Sequence, residues 1–241
     1  MHVGKTNTLL ICNFQKVRHL DSADLNIKLN GSFVEQTDNL RYLGIDLDNR
    51  FNFDFYIGNL VKKLNKSIGI LKRCAPCLPF QTKKMLYNSL ILPNMDYCST
   101  VWGGISKSGV LRLQRVQNRA LRIILREGPR AHIDEMLNKV KWMSVKQRLD
   151  YNKLVLMWRI VNNNAPPYLT EKFIFAKDAH SHNTTASTEN KLYVAGGHRN
   201  SLLVTGSALW NDLSAELRGI GRLETFRKRL CKHVILHTTK F

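Results

Sequence analysis

The apolar positions of the chain change their period once, near Asn52. Before it they alternate or cluster in short runs, as strands do. Residues 8–14 (TLLICNF) form such a run, and residues 26–29 (NIKL) alternate. Asn30-Gly31 follows, a pair suited to a type I′ turn because both central positions need positive φ. Residues 32–35 (SFVE) then return, which predicts a hairpin. Residues 40–47 (LRYLGIDL) predict a third strand, whose central Gly44 leaves room for another backbone to approach.

After Asn52 the period becomes helical. Phe53, Ile57, Leu60, Leu64, Ile68 and Leu71 recur every three or four residues, with Lys62, Lys63 and Lys66 on other faces. This helix stops near residues 74–79 (CAPCLP). A second runs from about 81 to 92 and ends at Pro93. Residues 96–104 (DYCSTVWGG) read as a linker. A third helix covers 110–126 and is terminated by Gly128-Pro129. Ser144 and Gln147 have capping-box spacing, and the helix behind them carries Val145, Leu149, Leu156, Ile160 and Val161 up to Asn162. Residues 180–190 (HSHNTTASTEN) are polar and predict a mobile loop. A last helix, 223–236, is amphipathic and basic through Arg227, Lys228, Arg229 and Lys232. The expected fold is α+β, mostly α: a small N-terminal hairpin piece, a helical bundle and a C-terminal helical region.

Charge sharpens this picture. Lys and Arg number 37 against 18 Asp and Glu, a net of +19. Such an excess repels itself unless a polyanion relieves it, and nucleic acid is the expected one. The 44% hydrophobic content supports a packed core. No apolar run is long enough to cross a bilayer. Asn13, Gln15, Lys16, Arg18 and His19 interrupt the first twenty residues where a signal peptide would be apolar. A cytoplasmic or nuclear protein, not a secreted one, is expected.

The third helix carries the clearest chemistry. Arg112, Arg115, Arg119, Arg122 and Arg126 step by 3, 4, 3 and 4, which lines one face with guanidinium groups. Leu113, Val116, Ala120 and Ile123 follow one residue later, so one stripe can pack while the other meets phosphate. Other candidates are thin. Gly4-Lys5-Thr6 matches the end of a phosphate-binding loop, but the glycine five residues earlier is absent from this sequence. Cysteines at 12, 74, 77, 98 and 231 are odd in number and widely spaced, against a disulfide framework. Cys74 and Cys77 have half a zinc knuckle's spacing, and only the fold could recruit Cys98 or His132. His180 and His182 read as surface-loop residues. Asp21, Asp24, Asp46 and Asp48 read as turn and capping residues, and no GxSxG elbow occurs.

Five segments in series resemble a known family: YLGIDLDNRFNF, KSIGILKRCAPCLP, LYNSLILPNMDYCSTVWGG, LQRVQNRALRII and LWNDLSAELR. They are similar to the downstream half of the reverse transcriptase of non-LTR (LINE-type, Jockey-like) retrotransposons, over residues 3–236. The resemblance implies a palm remnant with a primer-grip-like hairpin (1–52), a thumb-like helical domain (53–130), and a C-terminal helical region (131–241) with a mobile loop near 176–200. It implies that Tyr42-Leu43-Gly44 approach the primer end and that Lys5 lies on the pyrophosphate side. It also implies a template–primer partner: RNA–DNA hybrid, duplex DNA or RNA. Met1-His2-Val3-Gly4 stands where the family has Asn before Lys-Thr, Tyr56 where it often has His, and Ser214 where it often has Pro. The family's F/Y-x-D-D motif, which holds Mg²⁺, would precede Met1. The expectation is therefore a truncated polymerase that binds nucleic acid, takes no cofactor and is inactive alone. A repurposed nucleic-acid-binding module and a gene-model fragment without function stay open beside it.

Overall fold

A computed structural model describes residues 6–11, 26–179, 190–194, 196 and 200–236. The chain divides into two compact units, Met1–Lys63 and Leu64–Phe241. It is mostly α with a few short strands.

In the first unit lie β1 (Asn7–Thr8), β2 (Lys28–Leu29), β3 (Ser32–Phe33), β4 (Glu35–Gln36), β5 (Asn39–Tyr42) and β6 (Ile45–Asp48). They pair only two by two: β1 with β4 in parallel, β2 with β3 and β5 with β6 antiparallel. The β2–β3 hairpin turns at Asn30-Gly31 with φ of 51° and 82°, as its sequence requires. Two expectations change. Residues 9–11 lie outside any strand, and 12–14 fall outside the described residues. Residues 40–47 are not one strand. They fold back at Leu43 (φ 46°) and Gly44 (φ 82°) so that Tyr42 pairs with Ile45. Gly44 therefore serves a left-handed turn that its missing Cβ permits.

Helix α1 (Asp54–Cys74) begins in the first unit and ends in the second. Its buried side chains Ile57, Leu60, Leu64, Ile68 and Leu71 follow the helical period seen in the sequence. A 3₁₀ turn, Ala75–Cys77, follows. Next come α2 (Phe80–Leu90) and α3 (Leu92–Asp96). The break falls at Ile91. Pro93 sits in the first turn of α3, where a missing N–H leaves no bond unmade, so it starts a helix rather than ending one. The expected linker 96–104 holds α4 (Ser99–Trp102), a single turn too short to show a period. Trp102 is fully buried there and donates Nε1–H to Tyr97 O at 2.8 Å.

Helix α5 (Lys107–Leu125) starts earlier than its apolar period because Ser106 Oγ accepts from Gly109 N. It ends at Arg126 in the left-handed region (φ 57°), before Gly128. Then follow α6 (Ile133–Val140) and α7 (Val145–Val161). The capping box of α7 forms in both directions: Ser144 Oγ accepts from Gln147 N, and Gln147 Oε1 from Ser144 N. Helices α8 (Pro167–Thr170), α9 (Ala176–Ala179), α10 (Leu202–Asn211), α11 (Ala215–Arg218) and α12 (Leu223–Leu236) complete the order. The core of the second unit gathers where α7 packs on α10 and α12 through Trp158, Trp210, Phe226 and Leu230. Of the expected loop near 176–200, Ala176 and Leu192 are buried and Leu192 exchanges two hydrogen bonds with the Asn211 amide. Residues 180–189, with His180 and His182, lie outside the described residues.

Candidate nucleic-acid interface

The site is built on α5. Leu113, Val116, Gln117, Ala120, Leu121 and Ile124 are buried on one face, whereas Ile123 is only half-buried. The packed stripe is thus wider than its apolar residues predicted. Gln117 joins it because Nε2–H donates to Met143 O at 3.0 Å. Leu121 packs against Met136, Leu137 and Val140 of α6. With that face fixed, the arginine stripe has to point away from it.

Arg115, Arg119 and Arg126 are exposed, Arg112 and Arg122 half-buried. Arg119 Nη2 donates to Asn65 Oδ1 at 2.7 Å, and Arg126 Nη2 to Pro76 O at 3.4 Å. Both acceptors are neutral, so they hold the guanidinium groups without cancelling charge. Arg122 Nε is buried and has no partner among the described residues. None of the five arginines forms an ion pair within that set. Four of the five, Arg112 to Arg122, keep helical register; Arg126 lies past the end of α5 in the left-handed region and leaves the stripe's line. Like charges at i, i+4 cost stability, and the four in register leave a face that favours an anion.

The Arg119–Asn65 bond sets α5 beside the second half of α1. Lys66 is exposed there, as are Lys72 and Arg73, which the sequence reading passed over. The available signal was a shortage of acids. Residues 55–126 hold thirteen Lys and Arg but one acidic residue, Asp96. That carboxylate is taken by Arg148, whose Nε and Nη2 donate to its two oxygens at 2.9 and 2.5 Å. Lys62 and Lys63 are exposed on the part of α1 that belongs to the first unit.

Other predicted residues fall elsewhere. Tyr42 and Leu43, 61% and 73% exposed, form the tip of the β5–β6 hairpin in the first unit. Lys5 lies outside the described residues. Cys74 and Cys77 are exposed free thiols. Among the described residues no group of three His, Cys, Asp or Glu side chains could hold a metal ion. Asp46 and Asp48 do not fit a Mg²⁺ site. Both Asp48 oxygens accept backbone N–H groups, Oδ1 from Arg50 and Asn52 and Oδ2 from Phe53, which fixes the turn into α1. Asp46 Oδ2 accepts from Asn59 Nδ2 at 3.1 Å. In a cavity of about 390 Å³ lined by Tyr87, Gln117, Trp142 and Arg148, the Gln117 amide donates to Met143 O and the Arg148 guanidinium is engaged by Asp96.

Fold and site together define a mostly helical α+β protein with one strongly basic helical face. Two curated proteins are similar to it. Over 101 residues the chain is 29% identical to a probable RNA-directed DNA polymerase from transposon BS of Drosophila melanogaster, which covers 41% of this chain and 11% of that protein. Over 94 residues it is 28% identical to a probable RNA-directed DNA polymerase from transposon X-element of the same fly, covering 38% of this chain and 10% of that protein. The aligned stretch thus spans about a tenth of the relatives' length. It relates this chain to the reverse transcriptases of transposons. No family model and no solved structure matches. No helix among the described residues is long and apolar enough to cross a membrane.

Proposed function

We propose that the chain is the nucleic-acid-gripping part of a non-LTR retrotransposon reverse transcriptase. In this reading residues 53–130 act as the thumb and lay Arg112, Arg115, Arg119, Arg122 and Arg126 along the phosphates of an RNA–DNA hybrid or duplex. Lys62, Lys63 and Lys66 add to the attraction. Residues 1–52 contribute a primer-grip-like hairpin whose Tyr42-Leu43-Gly44 tip approaches the primer end. Residues 131–241 support the thumb through α7. The observation that carries the proposal is the arginine stripe of α5: Arg112, Arg115, Arg119 and Arg122 in helical register, with Arg126 just past the helix end, without an ion pair among the described residues, behind a packed opposite face. Arg forks match phosphate oxygens, and backbone contacts position a duplex without reading its sequence.

Salt dependence tests it. Phosphate contacts release counterions, so the affinity of the parent for one duplex falls steeply with salt, by about 0.9 log unit per log unit for each phosphate neutralised. Arg115→Ala with Arg119→Ala lowers that slope by roughly two units and weakens binding uniformly across sequences. Circular dichroism verifies that α5 survives the change. Superimposable salt lines for parent and double variant would remove α5 from the interface.

A further inference from the structure

Cys74 and Cys77 take no part in the face just described, yet they adjoin it. Cys74 is the last residue of α1, and Ala75–Cys77 form one 3₁₀ turn with Pro76 inside it. Side chains three residues apart eclipse in a 3₁₀ turn, so both sulfurs leave the backbone on the same side. Both thiols are exposed. Cβ atoms three apart on a helical turn stand about 5–6 Å from each other, and a disulfide needs about 3.5–4.5 Å. Closing the pair asks the turn to draw in by about 1–2 Å. The turn can yield that much: Leu78 N reaches Ala75 O only at 3.4 Å, and Pro76 has no N–H to lose. The movement has a consequence, because Pro76 O is the acceptor that holds Arg126 Nη2 at the end of the stripe.

We infer that Cys74 and Cys77 form a reversible redox site that exchanges with a low-molecular-weight disulfide such as glutathione disulfide, and that closing it unseats Arg126 from the nucleic-acid face. One cysteine thiolate attacks a sulfur of glutathione disulfide, forms a mixed disulfide and expels one glutathione thiolate. The other cysteine thiolate attacks the protein sulfur of that bond, closes the Cys74–Cys77 disulfide and expels the second glutathione. The protein loses two protons and two electrons, and the two glutathione thiols carry them. An unseated Arg126 has to be ordered again on binding, which costs side-chain entropy and weakens affinity. The site stands on the geometry of the turn; its effect on affinity rests on the proposed function.

The full chain is equilibrated over a range of reduced to oxidised glutathione, alkylated and digested with trypsin. Cleavage after Arg73 and Lys83 leaves both cysteines in one peptide. That peptide carries two alkyl groups when reduced and none when oxidised, and Cys74→Ser blocks the oxidised form. Duplex affinity of the oxidised chain is about three- to tenfold weaker than that of the reduced chain, and the difference disappears in Arg126→Ala. A peptide that keeps both alkyl groups in an oxidised pool, or stops at the mixed disulfide, refutes the site. A peptide that oxidises while parent affinity stays constant refutes the coupling to Arg126. If the parent shows no salt-dependent binding in either redox state, the nucleic-acid reading fails and the coupling with it, and the peptide result decides the redox site by itself.

Discussion

Lys153 is a cation where the fold disfavours charge. It sits in α7, only 5% exposed, and burial pulls its pKa down from the ordinary 10.5, with Lys146 adding to the depression and Asp150 opposing it. Asp150 is itself shared, since Lys146 Nζ donates to it at 2.6 Å. A lysine that holds its proton less tightly when folded destabilises the fold fully below its folded pKa, and the penalty fades as pH rises through that value toward 10.5. Lys153→Met removes both the penalty and its pH dependence. We expect a higher urea midpoint for the variant at neutral pH, and a gap from the parent that narrows by about pH 10. Urea titrations across that range check it; a gap that stays constant would assign the gain to packing instead. Residue roles of this kind were partly legible. The sequence marks Asp48 as a turn residue, and it is one, but only the tertiary structure identifies the three N–H groups it holds.

Among the described residues each sheet has two strands, so each of these strands has one edge that no other described strand covers. Two-stranded hairpins are marginal in water, and unpaired edges open readily. Amides of β2, β3, β5 and β6 should exchange with solvent much faster than those of α5, whose packed face is closed by Leu113, Val116, Ala120 and Leu121. Hydrogen exchange with mass readout decides this, and equal protection of residues 28–48 and 110–124 would overturn it. The elements also separate what a linear pattern can carry. Asn30-Gly31 was legible because both residue types tolerate positive φ. Leu43-Gly44 was not, because a leucine at φ 46° is an unfavourable turn residue that only its surroundings impose. Helix α4 has four residues and no period, and its position follows from burying Trp102.

For the whole molecule the proposed reading is tested on its carboxylates. Two-metal chemistry needs carboxylates free to share a pair of ions, and Asp46 and Asp48 are committed to Asn59 and to the turn into α1. We expect the 241-residue chain to incorporate no deoxynucleotide on an RNA template with Mg²⁺ or Mn²⁺. Primer extension that is lost on Asp46→Ala or Asp48→Ala would overturn this. The sequence by itself determined the mostly helical class, the periods of α1, α5 and α12, the capping box of α7 and the register of Arg112, Arg115, Arg119 and Arg122, whereas the left-handed end that takes Arg126 out of line came from the structure. The former depend on spacing between near neighbours, which a linear chain displays. Only the tertiary structure decided that Gln117 is core, that Asp96 is neutralised by Arg148, and that Arg119 and Arg126 rest on Asn65 and Pro76. Those partners lie about fifty residues away along the chain or more than twenty, and no local pattern records which distant groups packing brings within hydrogen-bond reach.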